Sequence, residues 1–143
     1  MKVLLDTNVF LSYLLTSNAR GTIATVVRTC FEHDDIDLLV PHEQIGELAS
    51  KVATKDYFRT RIPNTLIQTL IQELTTYCTL PPQLEDIKAY TRDPKDDYLV
   101  AYAIVNEADY LITGDNDLLV LGRVGALEIV TPNQFIDICK KTR

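Results

Sequence analysis

Four acidic residues stand where an alternating strand and helix pattern would bring them to one place. Asp6 directly follows the apolar run Lys2–Leu5, and Asp115 closely follows Tyr110-Leu111-Ile112. Glu47 lies on an amphipathic stretch after a second β-like run, and Asp97 opens a strongly apolar one. In an open α/β sheet, ligands bind outside the carboxyl ends of the strands, near the point where strand order reverses. If the strands before Asp6 and Asp115 are neighbours, two carboxylates meet at one sheet edge. Like charges gathered this way raise each other's pKa unless a cation neutralises them. Oxygen donors with no Cys or His beside them suit a hard ion, Mg²⁺ or Mn²⁺. Such an ion also draws phosphate to a site that is otherwise acidic.

Each acid taken alone has an ordinary structural use. Asp6-Thr7-Asn8 reads as a strand-to-helix turn with a capping side chain. Glu47 and Lys51 have the i, i+4 order of a helix-surface ion pair. Asp96 and Asp97 read as a cap and a first-turn acid facing the helix dipole. Asp115-Asn116-Asp117 is turn chemistry. The functional reading rests on the four segments occurring together, in this order.

The elements that must position them follow from hydrophobic periodicity. Lys2–Leu5 reads as a first strand, and Val9, Phe10, Tyr13 and Leu14 recur with helical spacing. A second helix follows Gly21, with Ile23, Val26, Val27, Cys30 and Phe31 on one face. Residues 36–40 form a second strand closed by Pro41, and a helix from His42 turns Ile45, Leu48, Ala49 and Val52 to the core. Pro63 suits a helix first turn, and Leu66, Ile67, Leu70, Ile71 and Leu74 continue that helix. Residues 75–80 read as a third, weaker strand ended by Pro81-Pro82. Pro94 blocks a helix through Arg92-Asp93, so the next starts near Lys95 or Asp96, with residues 99–105 apolar nearly all round. Tyr110–Ile112 and Leu127–Val130 are the fourth and fifth strands. Thr131-Pro132-Asn133-Gln134 is a capping box with Pro at the first helical position, opening a last helix with Phe135, Ile136 and Cys139. Strands alternating with helices over short connections predict an α/β fold, a mostly parallel sheet covered on both faces. No internal repeat or linker interrupts the pattern, so one domain over residues 1–143 is expected.

The composition of the 143 residues narrows the classes. Lys+Arg number 14 against 20 Asp+Glu, a net charge of -6, with 46% hydrophobic and 24% charged residues. That is the balance of an ordinary globular protein and not of one gripping phosphates by a basic surface. No apolar run reaches the roughly 18–20 residues of a membrane span, and Asp6 comes too early for a signal peptide. Cys30, Cys78 and Cys139 are scattered without a CxxC pair, and His33 and His42 lie near none of them. Buried thiols in a reducing cytoplasm are expected, with neither disulfides nor a structural zinc.

Val3-Leu4-Leu5-Asp6-Thr7-Asn8-Val9 resembles the opening of PIN domains, where an apolar strand ends in Asp-Thr-Asn or Asp-Thr-Ser. Glu47-Leu48 resembles the Glu-Leu of the helix after their second strand, and Asp97-Tyr98-Leu99-Val100-Ala101 their Asp followed by an apolar helix. Leu111-Ile112-Thr113-Gly114-Asp115-Asn116-Asp117-Leu118 resembles their late strand and acidic loop. The Arg92-Asp93-Pro94-Lys95-Asp96-Asp97 run and the closing Thr131-Pro132 helix resemble a subgroup of PIN toxin components of the VapC type. The resemblance runs from Lys2 to about Ile138. It implies a three-layer α/β/α sandwich with a central parallel five-stranded sheet, in order 3-2-1-4-5. It implies a divalent-metal-dependent endoribonuclease using Mg²⁺ or Mn²⁺, the toxin of a toxin–antitoxin pair, homodimeric and inhibited by a cognate antitoxin. Carried onto this sequence, Asp6, Glu47, Asp97 and Asp115 are the metal-binding and catalytic acids, with Asp117 as a fifth. Asn8 and Thr113 would orient ligands or water around them. Asp93, Asp96 and Asp97 crowd together, and Asp97 is preferred because the apolar helix follows it at the family's spacing.

On that implied mechanism, bound cations lower the pKa of a water and neutralise charge on the leaving oxygen of a phosphodiester, leaving a 5′-phosphate and a 3′-hydroxyl. Lys51, Lys55, Arg92 and Lys95, with Arg20, Arg59 and Arg61, are candidate RNA contacts. Tyr57-Phe58 and the Leu66 to Leu74 helix are candidates for a dimer or antitoxin face, and a helix segment beginning at Arg59 makes the stretch between Glu47 and Asp97 long. Two alternatives belong to other classes. A catalytically silent PIN domain would serve as a binding module. A phosphatase with an Asp nucleophile is suggested by Leu4-Leu5-Asp6-Thr7-Asn8, but Asn8 stands where a second Asp is needed. A dinucleotide enzyme is disfavoured because no GxGxxG follows the first strand.

Overall fold

The computed structural model describes residues 1–87 and 94–141, the side chains of residues 94–96 apart. Strands β1 (Lys2–Leu5), β2 (Asp37–Leu38), β3 (Tyr110–Ile112), β4 (Arg123–Val124) and β5 (Leu127–Val130) form one sheet in the order β2-β1-β3-β5-β4. All pairings are parallel except β4 with β5, and β1 and β3 lie side by side with Leu5 opposite Ile112. The order therefore reverses at β1, next to β3.

The period-two alternation of each strand sends its side chains into two cores. Val3, Leu5, Leu38, Val40, Ile112 and Val130 enter one, while Leu4, Leu39, Leu111 and Ile129 enter the other. Helices α1 (Thr7–Leu15), α2 (Thr22–Glu32), α3 (His42–Thr54), α5 (Asn64–Tyr77) and α8 (Pro132–Lys141) pack on the first face, with Phe10, Val27, Leu48, Leu74 and Phe135 buried. Helices α6 (Pro94–Val105) and α7 (Asn116–Leu119) cover the second through Leu99, Val100, Tyr102, Ala103 and Leu118. A four-residue helix, α4 (Asp56–Arg59), joins α3 to α5. This is the expected α/β architecture. No helix among the described residues is long and apolar enough to cross a membrane.

Several local expectations are corrected. Residues 75–80 are not a strand: α5 continues to Tyr77, because burying Ile67, Leu70 and Leu74 on one face carries the helix through Thr75 and Thr76. Only Thr79 joins the sheet, donating to the Leu38 carbonyl at 2.9 Å and accepting from the Val40 N–H at 2.8 Å. The place given to a third strand is thus a single parallel bridge beside β2. The fifth strand is instead β4, an antiparallel edge at the opposite side. Its two-residue turn to β5 has Gly125 at φ +60°, the left-handed conformation that a primed hairpin turn needs at its first position. Helix α6 starts at Pro94, one residue before the expected range, with Pro at the first helical position. Its end is less buried than expected, since Val105 is 62% exposed. On α3 the core-facing set includes Gln44, fully buried, and omits Ala49, which is exposed.

The capping box of α8 forms in both directions. The Gln134 N–H donates to the Thr131 hydroxyl at 3.1 Å, and the Thr131 N–H donates to the Gln134 side chain at 2.9 Å. None of the three cysteines forms a disulfide among the described residues: Cys30 is buried, Cys78 and Cys139 only partly. Burial pushes the Cys78 thiol up to about 12.

Candidate functional site

The pairing of β1 with β3 determines what their carboxyl ends deliver. The ladder continues one step beyond each strand, with the Asp6 N–H on the Ile112 carbonyl and the Thr113 N–H on the Val130 carbonyl, both at 2.9 Å. Asp6 and Thr113 are thereby fixed side by side, 4% and 0% exposed. The Thr113 hydroxyl donates to Asp6 Oδ2 at 2.7 Å and accepts the Asp115 N–H at 2.9 Å. Asp115 in turn caps α7, its Oδ1 accepting the Asp117 N–H at 2.9 Å.

A second wall rises from α3. Gln44 anchors that helix to the end of β1, its Nε2 donating to the Leu5 carbonyl at 2.6 Å and lying 3.3 Å from the Thr7 hydroxyl. One turn further on, Glu47 Oε1 accepts the Thr7 hydroxyl at 2.5 Å and the Tyr98 hydroxyl at 2.7 Å. Its other oxygen, Oε2, faces Lys51 Nζ at 3.3 Å. Glu47 therefore forms the i, i+4 ion pair and is also tied to Thr7, the residue next to Asp6.

Burial holds the Asp6 carboxyl above its ordinary value, and the negative charges of Asp115 and Glu47 push the same way. The Thr113 hydroxyl acts against them by bonding the charged form. Burial also raises the Tyr98 phenol, and the Glu47 carboxylate it bonds adds to the rise.

The remaining expected residues are placed as follows. Asp97 is buried, 5% exposed, in the first turn of α6. Asp117 is exposed beyond its backbone contact with Asp115, and Asn8 is exposed, its side chain without a hydrogen bond among the described residues. Lys51 is committed to Glu47. Arg59 pairs with Asp56 at 2.8 Å, Arg61 lies over the Tyr57 ring at 4.0 Å, and Arg20 and Lys55 are exposed. Asp93, Arg92 and the side chains of Lys95 and Asp96 lie outside the described residues.

Thr7, Gln44 and Tyr98, which hold Glu47 and its helix, are not among the expected site residues. One signal for Gln44 was present. It shares the stripe of Leu48 and Val52, where a polar side chain must find a buried partner.

Among the described residues no three Asp, Glu, His or Cys side chains converge on a point that would hold an ion. The donor types nonetheless fit a hard divalent cation: carboxylate oxygens alone, with a buried Asp6 crowded by two further negative charges. The sequence profile of the PIN domain matches residues 2–117, more than half the chain and a span that includes all five acids. No curated protein matches the chain. PIN domains are typically nucleases that act on nucleic acids and generally use divalent metals. With the profile spanning most of its length and the sheet of that fold beneath it, the chain belongs to the PIN domain family.

Proposed function

We propose that the protein is a divalent-metal-dependent endoribonuclease and the toxin of a toxin–antitoxin pair. The observation that carries the reading is the buried Asp6 carboxylate, crowded by Asp115 and Glu47 where strand order reverses. Asp6, Glu47, Asp97 and Asp115 would hold the ion, with Asp117 at the rim. Mg²⁺ or Mn²⁺ bound there supplies a water of lowered pKa and offsets the charge that builds on the scissile phosphate. Thr113 orients Asp6 through its Oδ2. Thr7 and Tyr98 orient Glu47 through its Oε1. Lys51 offsets part of the negative charge. Tyr57 and Leu66, 56% and 46% exposed, offer apolar surface for an antitoxin or a second copy. Three cysteines outside any disulfide among the described residues suit a reducing cytoplasm.

A second reading, a catalytically silent PIN domain serving as a binding module, is favoured by the Glu47–Lys51 ion pair, which engages an oxygen an ion would use. Cleavage of a mixed RNA pool by the purified protein separates them, with Mn²⁺, with EDTA, and with Asp6→Asn. Cuts that need the metal and vanish in the variant support the nuclease. Metal binding without cleavage supports the silent module. Neither metal binding nor cleavage overturns the metal mechanism.

A further inference from the structure

Helices α3 and α6 are joined by two tyrosine–glutamate pairs. Glu43 and Glu47 are four residues apart on α3, and Tyr98 and Tyr102 are four apart on α6, so each set shares one helix face. The pairing is crossed. Tyr98 donates to Glu47 Oε1 at 2.7 Å, and the Tyr102 hydroxyl lies 2.8 Å from both oxygens of Glu43.

The two bonds are chemically alike but have different surroundings. Tyr102 is fully buried, and its hydroxyl also accepts the Leu84 N–H at 3.1 Å, so this rung ties a loop and two helices together. Glu43 is not among the acids assigned to the site. The Tyr98 rung ends on Glu47, and the oxygen it bonds is the one that accepts the Thr7 hydroxyl. Thr7 hydroxyl and Tyr98 hydroxyl are themselves only 3.4 Å apart, so both donors approach Oε1 from one side. Two donors on Oε1 leave the Glu47 side chain little rotational freedom. Because Tyr98 follows Asp97 directly, the same bond holds the first turn of α6, and with it the Asp97 backbone, against α3.

We infer that Tyr98 is a positioning residue for divalent-cation binding, its hydroxyl restricting the Glu47 carboxylate and holding the start of α6 against α3. This rests on the reading of Glu47 as a metal-holding acid. A hydrogen bond to a ligand carboxylate restricts the orientations it must otherwise lose on binding, and loss of such a partner typically lowers metal affinity about 10–100-fold.

The test uses the full chain and Mn²⁺ alone, with affinity measured by titration calorimetry and melting measured without metal. Tyr98→Phe keeps the ring and removes only the hydroxyl. It is expected to weaken Mn²⁺ binding about 10–100-fold. Glu47→Gln is expected to weaken it at least as much. Tyr102→Phe is expected to lower the metal-free melting temperature while leaving Mn²⁺ affinity within about twofold, since its rung does not reach the site. Wild-type Mn²⁺ affinity in Tyr98→Phe, with loss in Glu47→Gln, overturns the positioning role. Equal losses in Tyr98→Phe and Tyr102→Phe also overturn it, because they mark helix packing as the cause. Unchanged affinity in Glu47→Gln overturns instead the assignment of Glu47 on which the inference rests.

Discussion

Thr113 donates its hydroxyl proton to Asp6 Oδ2 across 2.7 Å, although 107 positions separate them in the chain. The bond follows from one strand pairing. With Leu5 opposite Ile112, the residues that leave β1 and β3 emerge side by side, and both are buried. A buried carboxylate with one hydroxyl donor and two acidic neighbours is an unstable charge when no cation is near. That instability is measurable.

Asp6→Asn is expected to raise stability at neutral pH while abolishing cleavage. The folded state holds the Asp6 pKa above the ordinary 3.8, so the folded protein binds this proton more tightly than the unfolded chain. The stability linked to it is complete below 3.8 and is lost as pH rises through the raised folded value. Melting curves of wild type and variant should therefore converge toward pH 4 and separate at pH 7, the variant higher. Excess Mn²⁺ should raise the wild-type melting temperature more than the variant's. A variant less stable than wild type at pH 7 would contradict the argument.

Lys51→Gln removes the ammonium 3.3 Å from Glu47 Oε2, and with it a charge that repels an incoming cation. Mn²⁺ affinity is expected to rise a few-fold. Stability should change by only about 0.2–1 kcal/mol, because the pair is partly exposed and screened. Calorimetric titration at two salt concentrations checks both the sign and its electrostatic origin. A fall in affinity would mean that Lys51 helps to hold Glu47 in place.

Thr131→Ala breaks the reciprocal cap of α8, leaving the Gln134 N–H without its side-chain acceptor. The expected loss is about 1 kcal/mol, within a range of roughly 0.5–2. Thr131→Ser keeps the hydroxyl and should recover most of it. Urea unfolding of the two variants with unchanged slopes is the measurement.

Two glycines should respond in opposite senses to alanine. Gly46 lies inside α3 with nothing within 4 Å of an added Cβ, so Gly46→Ala is expected to stabilise by roughly 0.5–1 kcal/mol. Gly125 has equal room but φ +60°, and Gly125→Ala is expected to cost about 1–2 kcal/mol. The contrast isolates backbone conformation from sterics, and thermal melts of both variants suffice to read it.

Local pattern determined much of this protein. The runs Val3-Leu4-Leu5 and Tyr110-Leu111-Ile112, the helical spacing of Leu48 and Val52, and Thr131-Pro132-Asn133-Gln134 each specify an element through contacts within a few residues. Those elements place Asp6 and Asp115 just beyond strand ends without knowledge of any partner. Local pattern misjudged residues 75–80, where the β-favouring Thr-Thr-Tyr yielded to a helix already burying Leu70 and Leu74. It also passed over Arg123–Val124, too short to show an alternation. What only tertiary structure decided is which groups meet: Thr113 with Asp6, Gln44 with the Leu5 carbonyl, and Tyr98 with Glu47, 51 positions away. Periodicity records which face of an element is apolar. It carries no record of which polar side chain across a packed interface will satisfy another, because that depends on strand order and on the register between helices, set by the whole core at once.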